Sequence, residues 1–446
     1  MQAVLQIIKS KSFSSLIGNG LGALLGVITF AYLARVLPKG IFGPYIIFLA
    51  IYGIFENLRI GMVMNALVRN LSQCKTIEEE EMVIGSTLFM TIALTLVYAI
   101  VMFILYYIFK QFGLFGEYLF FFKWWIGLAF LSLPNNYATW LLNAKLMIKS
   151  MSVIRIVSQL AFIAYIYFFI LEEKTIYNVV NGYLLSHLLV SLIAIIMGWS
   201  GFVNLLKYTR KTVLDIFHFG KYSMGTLLGS NLLRSSDTFI IGFSALGNQG
   251  VAKFNVPARL LEVMEMPLRS FAVTALPQFA RQYADGNFVA LKNEFERKSG
   301  MVFYLLLPIA IFCFVFADYL VLLIGGNQYA DAALTLRFFA SYMAILPLDK
   351  FSGVMLDTIN KPDLNFYKVL LMLLVNIIGD IIAISIFQNV ESVAFVSSAT
   401  FLSGMIFGYY HLKKHMDISF RSMLNLGWID YKGYIVRILK IKRSET

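Results

Sequence analysis

Charged and amide side chains recur inside long apolar stretches of this sequence, and their types and spacing could do chemistry. One stretch holds Glu56 and Arg59, three positions apart, with Tyr45 and Tyr52 on the same side of a helix. Another carries Ser223, Ser230, Arg234 and Asp237 on one stripe. The next is the most polar: Asn255, Arg259, Glu262, Glu265 and Arg269 fall within about 120° of one helical face. Asp349 and Lys350 follow, and then Asn376 and Asp380, four apart. A guanidinium stays charged when desolvated and offers paired donors to an oxyanion. Arg59, Arg234, Arg259 and Arg269, with Lys350 behind them, are therefore candidate ligands for a phosphate-type anion. The carboxylates Glu56, Asp237, Glu262, Glu265 and Asp380 are candidates for carrying a proton, holding Na⁺ or pairing with a nearby arginine. In the pairing alternative Arg259 takes Glu262, Arg269 takes Glu265 and Arg234 takes Asp237, each pair locking one helix.

The elements that must position these groups follow from composition. Of 446 residues, 59% are apolar, 14% charged and 15% aromatic, and the mean hydropathy is +0.74. A soluble domain carries about 25% charged residues, and one membrane span takes about 20 apolar residues. The chain reads as an all-α polytopic membrane protein with predicted spans at 13–34, 41–64, 83–109, 119–142, 151–171, 177–199, 218–243, 250–275, 300–324, 334–358, 366–387 and 391–411. What is left, roughly 15 residues per connection, excludes an extramembrane domain of useful size. The first run follows Lys9 and Lys11 but is too long for a signal-peptide core and has no A-x-A site, so it is read as a span.

Lys and Arg are unevenly shared between alternate connections. Lys9, Lys11, Arg69, Lys75, Lys145, Lys149, Arg155, Lys207, Arg210, Lys211, Lys221, Arg281, Lys292, Arg297, Lys298, Lys361, Lys368 and the tail lie on one side, against Arg35, Lys39, Lys110, Lys123, Lys174 and Arg337 on the other. The positive-inside rule then places both termini in the cytoplasm and makes the span number even. Most of the net charge of +12 is then topology, and no nucleic-acid partner is expected. A long interruption at 200–217 divides the chain into a six-helix bundle at 1–205 and a second at 206–415, followed by a basic amphipathic tail at 416–446. Both bundles start inside, so they are expected to be parallel repeats. At an offset of 209, Gly20 matches Gly229, Phe30 matches Phe239, Leu37 matches Leu246 and Glu56 matches Glu265. The polar faces are expected to line a central cavity between the halves, because lipid does not tolerate them. The tail, with Trp428, Tyr431, Tyr434 and Ile435 among Arg421, Lys432, Arg437, Lys440, Lys442 and Arg443, suits the surface of an anionic leaflet.

Other motifs have plainer explanations. Gly18, Gly20 and Gly22 resemble a dinucleotide loop, but no strand precedes them, and Gly18, Gly22 and Gly26 instead make a small face for helix packing. His411 and His415 share a basic helix end that disfavours a metal. Glu78 to Glu81 suit the N-terminus of a helix, and Pro134, Pro257, Pro267, Pro308 and Pro347 favour kinks. Cys74 and Cys313 match no metal or redox spacing, and no nucleophile–base constellation or nucleotide loop is found, so no enzyme activity, metal or cofactor is expected. A membrane glycosyl polymerase would be expected to use a sizeable external loop, whereas the outward loops here reach only about 12–15 residues.

The opening Phe13 to Asn70 contains Leu33-Ala34-Arg35-Val36-Leu37 and then Gly40 to Tyr45. Phe219-Gly220 leads into Arg234-Ser235-Ser236-Asp237 and Ile240-Ile241-Gly242, and Leu356-Asp357-Thr358-Ile359-Asn360-Lys361-Pro362 enters the eleventh span. In these stretches the chain resembles the bacterial polysaccharide flippases of the O-antigen (Wzx) type. The resemblance implies a member of the superfamily that also holds multidrug and toxin extruders and the lipid II flippase, with a MATE-like pair of six-helix bundles. It implies an oligosaccharide on undecaprenyl diphosphate as substrate, turned from the inner to the outer leaflet of the bacterial cytoplasmic membrane, with membrane lipids and the polysaccharide polymerase and chain-length machinery as partners. It further implies that cavity arginines hold the diphosphate, which supports Arg59, Arg259 and Arg269 by position. The lipid II branch also has arginines in its first span, which Phe13 to Ala34 lacks; that favours the polysaccharide branch. A cation or drug antiporter on the same fold is the competing expectation.

Overall fold

The computed structural model describes residues 11–113 and 115–443, and among these every regular element is helical. Helices satisfy their own backbone donors and acceptors, which is what a hydrocarbon environment demands. The Cα packing divides the chain into two units, Met1–Asn231 and Leu232–Thr446.

The first unit contains α1 (Lys11–Val36), α2 (Lys39–Arg59), a π turn (Ile60–Met64), α3 (Asn65–Leu71), α4 (Ile77–Gln111), α5 (Phe121–Leu131), α6 (Leu133–Ala144), α7 (Ile148–Tyr165) and α8 (Ile176–Ile196). A 3₁₀ segment, Phe202–Lys207, leads into α9 (Arg210–Gly242), which runs on into the second unit. The second unit continues with α10 (Gly247–Met264), α11 (Met266–Ala284), α12 (Phe288–Val315), α13 (Ala317–Gly325), α14 (Ala333–Met343), α15 (Leu346–Thr358), α16 (Pro362–Phe387), α17 (Val390–His415) and α18 (Phe420–Arg443).

Three predicted spans are broken helices. The span at 119–142 divides at Ser132, that at 250–275 at Glu265, and that at 334–358 between Met343 and Leu346. In each case a proline, Pro134, Pro267 or Pro347, occupies the opening positions of the following helix. Proline has no N–H to donate to the preceding turn but fits a helix start, so one rod becomes two. Pro257 and Pro308 instead lie inside the continuous α10 and α12. Seven helices among the described residues are individually long and apolar enough to cross a membrane, and the pair bent by 47° around Ala344 makes eight. The other predicted spans are also helical. Those at 119–142 and 250–275 are split, that at 218–243 carries Arg234 and Asp237, and the first lies partly among residues whose side chains, Gly18 and Gly20 included, are outside the described set.

Local sequence sets the helix ends. Thr76 and Glu79 form a reciprocal capping box: the Glu79 N–H donates to Thr76 Oγ1 at 3.2 Å, and the Thr76 N–H to Glu79 Oε2 at 3.4 Å. The next two acidic residues face outward to partners, Glu80 to Lys145 at 3.1 Å and Glu81 to Lys207 at 2.6 Å. The core of the first unit is aromatic where α2 meets α5, with Trp125 Nε1 donating to the Phe48 carbonyl at 3.1 Å and its ring stacked on Phe48.

The predicted tail is helical and has one packed face. Helix α18 packs on α12 with backbones in contact, since a carbon built at Gly427 would lie 2.2 Å from the Gly300 carbonyl carbon. Glu296, fully buried on α12, caps the start of α18 by accepting the Ser419 N–H at 2.8 Å and the Ser422 hydroxyl at 2.6 Å. Arg297 pairs with Asp430 at 2.9 Å, and Trp428 packs on Tyr304. The other face, with Arg421, Ile429 and Lys432, is exposed. The basic side chains from Arg437 onward lie outside the described residues.

Candidate functional site

In the first unit, α2 carries Tyr52, Glu56 and Arg59 at helical spacing toward α4, α5 and α6. Arg59 is fully buried, with both terminal guanidinium nitrogens partnered and its Nε without a hydrogen-bond partner among the described residues. Its Nη1 donates to Thr95 Oγ1 at 3.0 Å and to the Ala129 carbonyl at 3.3 Å, and its Nη2 is ion-paired with Glu56. The guanidinium also lies 4.6 Å from the Phe55 ring centroid. The Tyr52 hydroxyl sits 2.8 Å from Glu56 Oε1 and 2.6 Å from Ser132 Oγ, and Asn136 Nδ2 donates to it at 3.2 Å. Thr87, Thr91 and Thr95, each buried and four residues apart on α4, continue this polar seam to the Tyr137 hydroxyl, 2.8 Å from Thr87 Oγ1. The threonine spacing was visible in the sequence, but a hydroxyl that returns its proton to the carbonyl four residues back is easily passed over in an apolar run. Tyr45, expected beside Tyr52, is buried against Phe162 and Tyr183.

The second unit gathers most of the remaining candidates. Arg234 on α9 is ion-paired with Glu262 of α10, while Arg259 reaches the other oxygen of that carboxylate at 2.6 Å. A single carboxylate thus bridges two guanidiniums from two helices, and the three side chains are 49%, 35% and 31% exposed in the order Arg234, Arg259, Glu262. Arg269 at the start of α11 holds Glu265, the residue at the helix break, at 3.1 Å. Two of the three expected local pairs are therefore present, and Arg234 reaches across to another helix instead of back to Asp237.

Asp237 points the other way, toward α16 and α17. Its Oδ2 lies 3.4 Å from Ser397 Oγ, and its carboxyl lies beside that of Asp380, which is fully buried. Neither Asp380 oxygen nor Asp237 Oδ1 receives a hydrogen bond from a described donor. No Lys or Arg forms an ion pair with either group among the described residues. Asn376, one turn before Asp380, accepts from Ser236 at 2.6 Å. Two adjoining carboxyls without a cationic partner need a shared proton or a bound cation, and the surrounding donor set of carboxylate, amide and hydroxyl oxygens suits a small hard cation. Among the described residues there is no group of three His, Cys, Asp or Glu that could hold a metal ion.

Lys350 is exposed, and its neighbour Asp349 is bound elsewhere. Lys368, which the sequence placed among the basic connections, is buried on α16 and donates to the Asp349 carboxylate and carbonyl, each at 2.8 Å. Gly404 and Gly408 of α17 leave the space for this pair, since carbons built there would meet Asp349 Oδ1 at 2.6 Å and Ser352 Oγ at 2.2 Å. Helix spacing alone does not show which lysine near a span end turns inward.

Known proteins can now be set beside this geometry. By fold, the chain is similar to the lipid II flippase MurJ in an inward closed conformation, with a TM-score of 0.72 and 14% identity over 96% of this chain and 92% of that one. It is likewise similar to an inward-facing multidrug resistance MATE family transporter of the MOP superfamily, with a TM-score of 0.69 and 16% identity over 88% of this chain and 95% of the other. A curated relative is the probable low-salt glycan biosynthesis flippase Agl15 of Haloferax volcanii, 20% identical over 233 residues, 52% of this chain and 49% of the relative. The chain thus matches about half the length of that protein. The family described as MatE matches residues 223–382. The match that covers most of the chain, residues 8–282, is to the family described as Polysaccharide biosynthesis protein, and the chain belongs to that family.

Proposed function

We propose that this protein is a flippase that carries an oligosaccharide on undecaprenyl diphosphate, the repeat unit of O-antigen or another surface polysaccharide, from the inner to the outer leaflet of the bacterial cytoplasmic membrane. The observation that carries the reading is the pair Arg234 and Arg259, brought from two helices to one anionic point and left partly exposed. Two converging guanidiniums suit the terminal oxygens of a diphosphate. Arg269, held by Glu265 at the adjoining helix break, supplies further positive charge, and exposed Lys350 remains a candidate ligand. Arg59, whose Nη1 and Nη2 are engaged by Thr95, Ala129 and Glu56 in the interior, acts as a strut for the first unit.

Transport proceeds by alternating access, with both termini in the cytoplasm, bundles at 1–205 and 206–415, and the lipid tail remaining in the bilayer while the sugars contact aromatic and amide groups. Asp237 and Asp380 take up and release the coupling proton or Na⁺. The polysaccharide polymerase and chain-length machinery act on the delivered product. A second reading, a cation or drug antiporter on the same fold, draws on the Asp237–Asp380 pair, because unpaired carboxylates suit cationic cargo.

The test is the leaflet distribution of lipid-linked oligosaccharide in a strain lacking this protein and any redundant flippase. Inner-leaflet accumulation, corrected by wild type but not by Arg234→Ala with Arg259→Ala, is the expected result. Normal export in the null strain discards the flippase and leaves the antiporter.

A further inference from the structure

The paired arginines are already occupied by an anion that belongs to the chain. Glu262 lies one turn beyond Arg259 on α10, and its two oxygens are divided between two guanidiniums: Oε1 to Arg234 Nη2 and Oε2 to Arg259 Nη1. Glu265, its neighbour across the next turn, is already taken by Arg269. The arrangement differs from a buried structural ion pair in one respect: all three side chains are between about a third and a half exposed, so a ligand can reach the charges without unfolding the helices.

Resting on the proposed oxyanion role of Arg234 and Arg259, we infer that Glu262 is a resident competitor for the diphosphate. Its carboxylate stands where phosphate oxygens are received, yields when the diphosphate binds, and returns to the arginines as the diphosphate leaves. A monovalent carboxylate is outcompeted by a diphosphate bearing more charge and more acceptor oxygens, so binding still proceeds. The displaced carboxylate then lies beside Glu265, whose like charge drives it back toward the guanidiniums. A carrier needs this balance, because two unopposed arginines would retain their ligand and slow its release. Glu262 is thus a positioning residue that sets affinity.

The probe is inorganic pyrophosphate, titrated calorimetrically into the purified full-length protein at constant ionic strength. The variants are Glu262→Gln, Glu262→Ala, Glu262→Asp and Arg234→Ala. With the competing charge removed, E262Q and E262A are expected to bind pyrophosphate about tenfold tighter than wild type, the scale of one charge-assisted hydrogen bond pair. E262D, which keeps the charge, stays near wild type. A merely structural salt bridge predicts the reverse, since its loss loosens the helices and weakens binding. Two independent neutral variants keep the result from depending on the folding of one. Equal or weaker binding by E262Q and E262A, with binding by wild type that Arg234→Ala removes, overturns the competitor and leaves the arginine site standing. No binding by wild type or by any Glu262 variant overturns the arginine site itself.

Discussion

At the scale of single residues, the two arginine environments call for opposite behaviour. Arg234 and Arg259 share one partly exposed carboxylate, so replacing either removes charge without opening a hole. Arg59 is enclosed with Glu56, Thr95 and Ser132, and deleting it strands a carboxylate in the interior. Arg59→Met is therefore expected to cost about 3–5 kcal/mol of stability, read as a lowered thermal unfolding midpoint in detergent. Adding Glu56→Gln to that variant should recover a large part of the loss, because the stranded charge then disappears. If the single and double variants unfold alike, the pair is not what holds this region. Buried Lys368 with Asp349 belongs to the same class. Its lysine was indistinguishable in sequence from the basic residues of the connections, because burial depends on which face of α16 meets α15 and α17.

Pro134, Pro267 and Pro347 each open a new helix where a continuous span was expected, whereas Pro257 and Pro308 are absorbed into helices that stay whole. The difference is one of context: a proline removes a hydrogen bond in every case, and the neighbouring packing decides whether the rod separates. Helix α18 shows the same dependence. Its basic and aromatic residues announced an amphipathic helix, but Gly300 opposite Gly427, and Glu296 at the N-terminus of α18, seat it on α12. Gly427→Leu is predicted to break that contact at a cost of about 1–3 kcal/mol, the usual scale of overpacking. The measurable sign is faster proteolytic removal of residues after Met416 in the otherwise intact protein. Cleavage at the wild-type rate would mean that α18 does not rely on the glycine crossing.

For the whole molecule, the uneven distribution of Lys and Arg makes a definite claim about topology. In a background with Cys74→Ser and Cys313→Ser, Glu173→Cys is expected to react with a membrane-impermeant maleimide in whole cells. Lys211→Cys is expected to react only after permeabilisation. Both positions are exposed, so accessibility from one side or the other is what the label reads. The opposite pattern would invert the proposed orientation and, with it, the direction of flipping. Each unit also has its own polar groups: a hydrogen-bonded seam around Arg59 in the first, and an arginine–glutamate bridge and a separate aspartate pair in the second.

Apolar runs of about 20 residues, too long and too numerous for a soluble domain, were enough by themselves to establish a helical polytopic membrane protein, because hydrocarbon permits so few backbone solutions. The same sequence singled out the intramembrane charges, since their rarity in such runs makes them conspicuous. Partnership was settled only by the fold. Arg259 with Glu262 and Arg269 with Glu265 lie within one or two turns and could be read from spacing. Arg234 with Glu262 and Asp237 with Asp380 join residues 28 and more than 100 positions apart, and no helical period encodes them. Helical periodicity says which face a residue occupies, but the rotation of each helix against its neighbours decides what that face meets.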